Sequence, residues 1–537
     1  MDITRREFTS RAVLLLAGGA HMRSAIAMEG SAPIVETRYG KVRGAVQDGI
    51  CVFKGIPYGA STAGANRFMP PQKPASWSSV RDCLTWAPIA PQGASTANPS
   101  GMGKDFQIYF GNDTDAPRAQ SEDCLALNVF TPGVGRGHKR PVMVWIHGGG
   151  FSIGAGSGAR ANGIHLARKH NVITVSVGHR LGVLGYCHLG DFDKAFEHSG
   201  NVGQLDLIAS LQWIRDNIEA FGGDPKQVMI HGESGGGAKI TTLLGMPMAS
   251  GLFQRAILQS GTANRLPSHE QASQLAEKLL NELQVPKDQL KQLQQLPVER
   301  LIAAASKLEM ALQGARGFSP ASGTVDLPTN PIDAVASGSA KIPLIIGCTK
   351  HEAALFLAGS GTDPRKIDEN MLSTRVHALF GDKANEILAG YRADHPDYSA
   401  ADLLIRIMTD RIMRSGAIEL AQTHVKAGGA PTYAYMFTWE SPVLPYMRAG
   451  HGIDGTFYFD NTESVDIAKG NPDAKALAAA ASTAWATFAR TGKPAAPGLP
   501  TWPEYTLPKR DTMIFAAKSY IEADPMKADR ELFQRLA

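Results

Sequence analysis

The chain has 537 residues, a formal net charge of +4, 43% hydrophobic residues and 19% charged residues. Enough apolar side chain is present for a sizeable core, which excludes a globally disordered protein. The charge is spread without a basic run, so nucleic acid is excluded as an expected partner. Five cysteines, Cys51, Cys83, Cys124, Cys187 and Cys348, stand far apart with no CxxC pair and no Cys/His metal spacing. An odd count leaves at least one thiol free, and buried structural thiols are the expectation.

The N-terminus reads as a targeting segment spanning residues 1–27. Paired arginines in Thr4-Arg5-Arg6-Glu7-Phe8 precede the short apolar run Ala12 to Ala17, and Ala25-Ile26-Ala27 has the small-x-small form of a cleavage site. This pattern predicts twin-arginine export to the periplasm or beyond. That route carries folded proteins, which agrees with scattered, odd cysteines. The run is too short to span a bilayer. No later segment reaches about 18 uninterrupted apolar residues, so no stable membrane insertion is expected.

From Ile34 the chain reads as short β segments: Ile34 to Thr37, Lys41 to Val46 and Val52 to Phe53. Residues 60–120 are rich in Gly, Pro, Ser, Ala and Asn and read as surface loops anchored by Trp77 and Trp86. Buried strands follow at Pro141 to His147, Asn171 to Val177 and Val228 to His231, each an apolar run bounded by turn signals. Between the last two, Leu205, Ile208, Leu211, Ile214, Ile218 and Phe221 recur at helical spacing. Residues 268–310 read as helical, opened by a capping box of Ser268 and Gln271. Ile342 to Gly347, Thr432 to Phe437 and Asp511 to Phe515 are further strands, and Ala474 to Phe488 is an Ala-rich helix ending near Gly492. Strand–helix alternation predicts an α/β fold with a mostly parallel sheet, and no linker divides residues 28–537.

The most specific motif is Gly232-Glu233-Ser234-Gly235-Gly236, placed after a strand and before a helix. A serine there sits on a strained turn that lifts its hydroxyl off the sheet, and flanking glycines keep so tight a turn free of side chains. The same turn sets the Gly235 N–H and a helix N-terminus beside a reacting carbonyl. Upstream, His147-Gly148-Gly149-Gly150-Phe151 ends a strand with unshielded backbone N–H groups, as an oxyanion hole requires. Serine needs a base, and the base an orienting carboxylate. On such a sheet the order is Ser, acid, His. Glu352, just past the strand Ile342 to Gly347, is the acid candidate, the alternative being a solvated loop carboxylate. His351 beside it points the other way. His451, in the flexible Ala449-Gly450-His451-Gly452, is the base candidate, against His424 in an apparent helix.

These residues resemble the type-B carboxylesterases of the α/β-hydrolase superfamily across almost the whole mature chain. Phe53 to Gly59, Arg67-Phe68-Met69-Pro70-Pro71 and Glu122 to Val129 resemble the family's N-terminal signatures, Phe221 to Gly236 its active-site signature, Gly347 to Glu352 its acid segment, and Gly450 to Asp454 its histidine segment. The resemblance implies an α/β-hydrolase fold with a mostly parallel sheet, flanking helices and large insertions. It implies a triad of Ser234, Glu352 and His451, and an oxyanion hole from the N–H groups of Gly149, Gly150 and Gly235. It places Glu233 in the gorge and Ser260 behind the acid. The chain departs from the family at Gly235, Ala126 and Ala353. Ala90 stands where the family often has the cysteine that would pair with Cys124.

The expected activity is hydrolysis of small-molecule carboxylic esters through an acyl-enzyme, with no cofactor or metal. Activity is expected to fall as His451 protonates below roughly pH 6.5. The alternatives are an amidase or carbamate hydrolase using the same triad, and a non-catalytic binding protein on this fold.

Overall fold

Alternate residues of the central strands point to opposite faces, and both faces are apolar, so each strand must be covered on both sides. The computed structural model describes residues 32–93, 102–111, 119–158, 161–312 and 317–536; the targeting segment lies outside them. Strands β1 (Ile34–Thr37), β2 (Gly40–Arg43), β3 (Ala45–Gln47), β4 (Ile50–Pro57), β5 (Arg81–Asp82), β6 (Ala126–Thr131), β7 (Arg140–Ile146), β8 (Ile173–Val177), β9 (Gly223–Glu233), β10 (Arg255–Gln259), β11 (Leu344–Thr349), β12 (Thr432–Phe437), β13 (Asp511–Phe515) and β14 (Tyr520–Ala523) follow in chain order. They form a small sheet, β1-β2-β5, and an 11-stranded sheet in the order β14-β13-β12-β11-β10-β9-β7-β8-β6-β4-β3. From β8 through β13 every pairing is parallel, and the edges are antiparallel.

On β7, Val142, Val144 and Ile146 enter one core with the helices Val202–Asn217 and Gly235–Gly245, while Met143 and Trp145 enter another. That second core contains Trp485 of the helix Pro472–Thr491, fully buried and stacked on Tyr458 at 3.8 Å between ring centroids. The sheet reverses its winding at β7 and β9: β8 lies on the far side of β7, and the later strands add beyond β9. The crevice outside the carboxyl ends of these two strands is where such sheets hold ligands.

Several boundaries differ from the sequence expectation for identifiable reasons. The segment Lys41 to Val46 is two strands in two sheets. Gly44 lies between them, and a side chain there would collide with the Val52 carbonyl at 2.5 Å. Asn171 does not begin β8; with φ 49° it caps the helix Ile164–His170 in the left-handed region that asparagine tolerates. Residues 268–310 form two helices, His269–Leu283 and Val298–Ala311, with the Ser268–Gln271 capping box present. The loop-rich stretch also holds a helix, Lys104–Phe110.

The N-terminal signature residues hold this frame together. The buried Arg67 guanidinium makes a bidentate pair with Glu122 at 2.7 and 2.6 Å, and donates to the Leu293 and Leu296 carbonyls. Arg180 pairs with Asp206 in the same way at 2.8 and 2.6 Å. Removing one member of such a buried pair strands the other charge, at a cost of roughly 3–5 kcal/mol.

All five cysteines are free, and all but Cys51 are buried. Burial raises the Cys83 thiol to about 11, and raises Cys124, Cys187 and Cys348 further. Because the thiolate is the reactive form, the native protein should leave these four thiols unmodified by a thiol-exchange reagent at pH 8. All five should titrate after unfolding without reductant. Fewer than five in the unfolded chain would reveal a disulfide.

Candidate active site

Ser234 follows β9 and precedes the helix Gly235–Gly245, at φ 56° and ψ −124°. A non-glycine residue held there costs of order 1–3 kcal/mol and persists only where its surroundings over-determine it. They do so here. The Ser234 N–H donates to the Gln259 carbonyl at 2.8 Å, and its own carbonyl accepts from Ala238 at 3.1 Å. Glycines make the approach possible. A Cβ on Gly261 would lie 1.8 Å from the Ser234 carbonyl oxygen, one on Gly236 2.1 Å from that of Ile146, and one on Gly232 2.7 Å from the same oxygen.

The loop after β7 meets this turn. Gly149 and Gly150 have φ of 88° and 60°, and a Cβ on Gly235 would sit 2.2 Å from the Gly150 oxygen and 2.3 Å from its nitrogen. Glycine at 235 therefore lets the loop lie directly on the elbow. Among the described residues, the N–H groups of Gly149, Gly150 and Gly235 donate to no other group. Three adjacent unspent donors at a helix N-terminus are an arrangement suited to holding an anion.

Glu352 lies just past β11, fully buried. One carboxylate oxygen accepts from the Thr349 N–H at 2.6 Å, and the other is 2.5 Å from His451 Nδ1. The next residue is pinned as well, since the Ala353 N–H donates to Thr409 Oγ1 at 3.2 Å. His451 comes from the connection after β12, and its ring packs on Phe356 with centroids 4.7 Å apart. His424 is occupied elsewhere: its two nitrogens lie 2.7 Å from Thr432 Oγ1 and 2.9 Å from the Ala340 carbonyl. His351 is buried separately, its backbone N–H on the Ala449 carbonyl.

Glu233 sits closer to His451 than a general place in a gorge implies: its carboxylate lies 3.2 Å from His451 Nε2. The imidazole is thus held between two carboxylates, Glu352 on Nδ1 and Glu233 on Nε2. No hydrogen bond joins the Ser234 hydroxyl to His451 in this arrangement, as is common before substrate binds. Ser260 is buried at the end of β10 with φ 48°, and its hydroxyl has no hydrogen-bond partner among the described residues, Glu352 included.

Two further charged groups escaped the sequence reading. Asp454 is fully buried and accepts from the Tyr435 hydroxyl at 3.1 Å. Burial, then the charges of Glu233 and Glu352, push its carboxyl up to about 8. Lys239 is fully buried on the helix after Ser234, and its ammonium donates to the His147 carbonyl at 2.9 Å, behind the glycine loop. Burial lowers it to about 7. The four-residue spacing of Asp454 from Tyr458 and the lone lysine in an apolar helix were the available signals, and neither specifies a partner. For His451, burial pulls the pKa down, but the charges of Glu233 and then Glu352, with the Glu352 hydrogen bond, outweigh it and raise the ring to about 9.

The carboxylesterase family profile matches residues 31–531. The para-nitrobenzyl esterase of Bacillus subtilis is 38% identical over 507 residues, covering 93% of this chain and 98% of that protein. The human cocaine esterase is 32% identical over 506 residues, covering 88% and 86%. Among solved structures, a carboxylesterase of Geobacillus stearothermophilus superposes with a TM-score of 0.81 at 36% identity, covering 93% of this chain and all of that one. The family match spans the sheet, the glycine elbow and the connections that carry Glu352 and His451, and with the solved relatives it shows the fold to be that of the α/β-hydrolases. The chain belongs to the carboxylesterase family and is a carboxylic-ester hydrolase.

Proposed function

We propose that the enzyme cleaves small-molecule esters through an acyl-enzyme on Ser234, with His451 as base and Glu352 as the orienting acid. The observation that carries this is the buried Glu352–His451 contact of 2.5 Å at the same sheet edge as the strained Ser234 turn. His451 Nε2 turns from Glu233 to the serine hydroxyl and takes its proton. The alkoxide attacks the ester carbonyl, and the N–H groups of Gly149, Gly150 and Gly235 hold the oxyanion. The imidazolium then protonates the leaving alcohol, and water releases the acid by the reverse sequence. No metal or cofactor takes part in these steps.

Ser234→Ala should lower kcat for a p-nitrophenyl ester at least roughly 10⁴-fold, and Glu352→Gln by a similar factor, because each disables the unit that activates the nucleophile. Full activity of either variant at unchanged fold would overturn the triad.

The ionisation of His451 sets the pH dependence. A base raised to about 9 is protonated, and unable to accept the serine proton, through the neutral range. The kcat/KM should therefore climb as pH rises through a midpoint well above 6.5. Glu233→Gln removes one of the anions that hold the proton, so its midpoint should move to lower pH. A midpoint at or below 6.5, or one that Glu233→Gln leaves in place, would contradict this electrostatic account.

We also propose that residues 1–27 are a twin-arginine signal that places the mature enzyme in the periplasm or outside the cell. The support is the paired Arg5-Arg6, the short apolar run and Ala25-Ile26-Ala27. Replacing Arg5 and Arg6 by lysine should retain active, unprocessed enzyme in the cytoplasm; unchanged export would rule the route out.

A further inference from the structure

Among residues outside the proposed triad and oxyanion loop, two imidazoles and a carboxylate come together. His188, Asp191 and His269 each present a ligand atom, and these atoms lie within 4.8 Å of one another. His188 Nε2 is 3.2 Å from one Asp191 oxygen, and His269 Nδ1 is 3.0 Å from the other. The three share no residue with the proposed triad or oxyanion loop.

The surroundings hold these side chains in place. His188 is almost fully buried, and its ring packs so closely on Gly200 that a Cβ there would come within 2.8 Å of Nδ1. The next residue is anchored by the Leu189 N–H on Ser199 Oγ at 2.8 Å. Asp191 accepts a hydrogen bond from Ser273 Oγ at 2.7 Å. His269 opens the capped helix His269–Leu283, and its outer nitrogen, Nε2, lies 2.9 Å from Glu270. A carboxylate behind an imidazole, and a hydroxyl behind a carboxylate, are the outer contacts that orient metal ligands.

We propose that His188, Asp191 and His269 form a site for a zinc-class divalent cation, with water completing its coordination. Two imidazole nitrogens and one carboxylate oxygen suit zinc, cobalt or nickel better than calcium or magnesium, which favour all-oxygen sets. Bonds of about 2.0–2.2 Å in a tetrahedral set place donors about 3.3 Å apart. Each nitrogen already lies near that spacing from one Asp191 oxygen, His188 Nε2 at 3.2 Å from the first and His269 Nδ1 at 3.0 Å from the second, and rotation of the half-exposed His269 would bring both nitrogens around a single oxygen. The ion would clip the turn at residues 188–191 to a helix some 78 residues further along the chain. It would act on stability, since both segments feed the core that contains Tyr186, Phe196 and Leu279.

The test uses the full mature chain, dialysed against chelator and titrated with zinc chloride by calorimetry. One equivalent should bind, and the Tm should rise and saturate with added metal, as expected of a ligand bound only by the folded state. Asp191→Asn and His269→Gln, both at partly exposed positions, should each weaken binding at least roughly tenfold and remove the Tm response while leaving ester hydrolysis intact. Ser273→Ala should weaken it roughly tenfold through loss of the supporting contact. Cobalt(II) should show the visible bands of a low-coordinate site in the wild-type protein alone. The absence of saturable one-to-one binding would overturn the proposal. So would binding unchanged in both Asp191→Asn and His269→Gln, which would assign the zinc to other surface histidines.

Discussion

Two stretches of backbone approach each other at the carboxyl ends of β7 and β9, closer than any side chain would allow. Gly232 and Gly236 lie against the Ile146 carbonyl, Gly261 against Ser234 itself, and Gly235 against Gly150. This contact places a strained serine, a helix N-terminus and a loop of unspent N–H groups within one small volume. The parallel sheet supplies the rigid edge, and the reversal of strand order between β7 and β9 leaves the crevice open. The strain at Ser234 is maintained by that packing, with the hydrogen bond to Gln259 on the neighbouring strand as its clamp.

The second organising feature is charge. Glu233, Glu352 and Asp454 surround one imidazole in a buried volume, and the result differs from a simple relay of acid and base. Low solvent access makes each carboxylate felt strongly by the others. Asp454 responds by holding its proton toward about 8, and His451 by holding its own toward about 9. Electrostatic order at this site is therefore a property of the group, with Glu233 coupling the elbow to the imidazole.

Legibility in the sequence followed locality. The elbow, the glycine loop and the capping box at Ser268 each depend on residues within a few positions, so their chemistry could be read directly. Glu352 and His451 stood out as candidates from the Ser, acid, His order on such a sheet and from the family resemblance, and the fold brings the two side chains into contact. Gly44 and Asn171 were misread because a strand pattern does not record which sheet a residue joins, or that a helix ends one residue before it. Lys239 and Asp454 were missed because each owes its role to groups from other elements: the His147 carbonyl for one, Tyr435 and two distant carboxylates for the other.

The sequence by itself determined the family, the α/β alternation and the residue types of the proposed machinery, since glycine spacing and apolar runs express steric requirements that need no distant partner. The tertiary structure alone decided that Glu233 rests on His451, that the Ser260 hydroxyl finds no partner among the described residues, and that His188, Asp191 and His269 meet. Those outcomes depend on through-space distances between segments far apart in the chain, and burial then sets how strongly the groups act on one another.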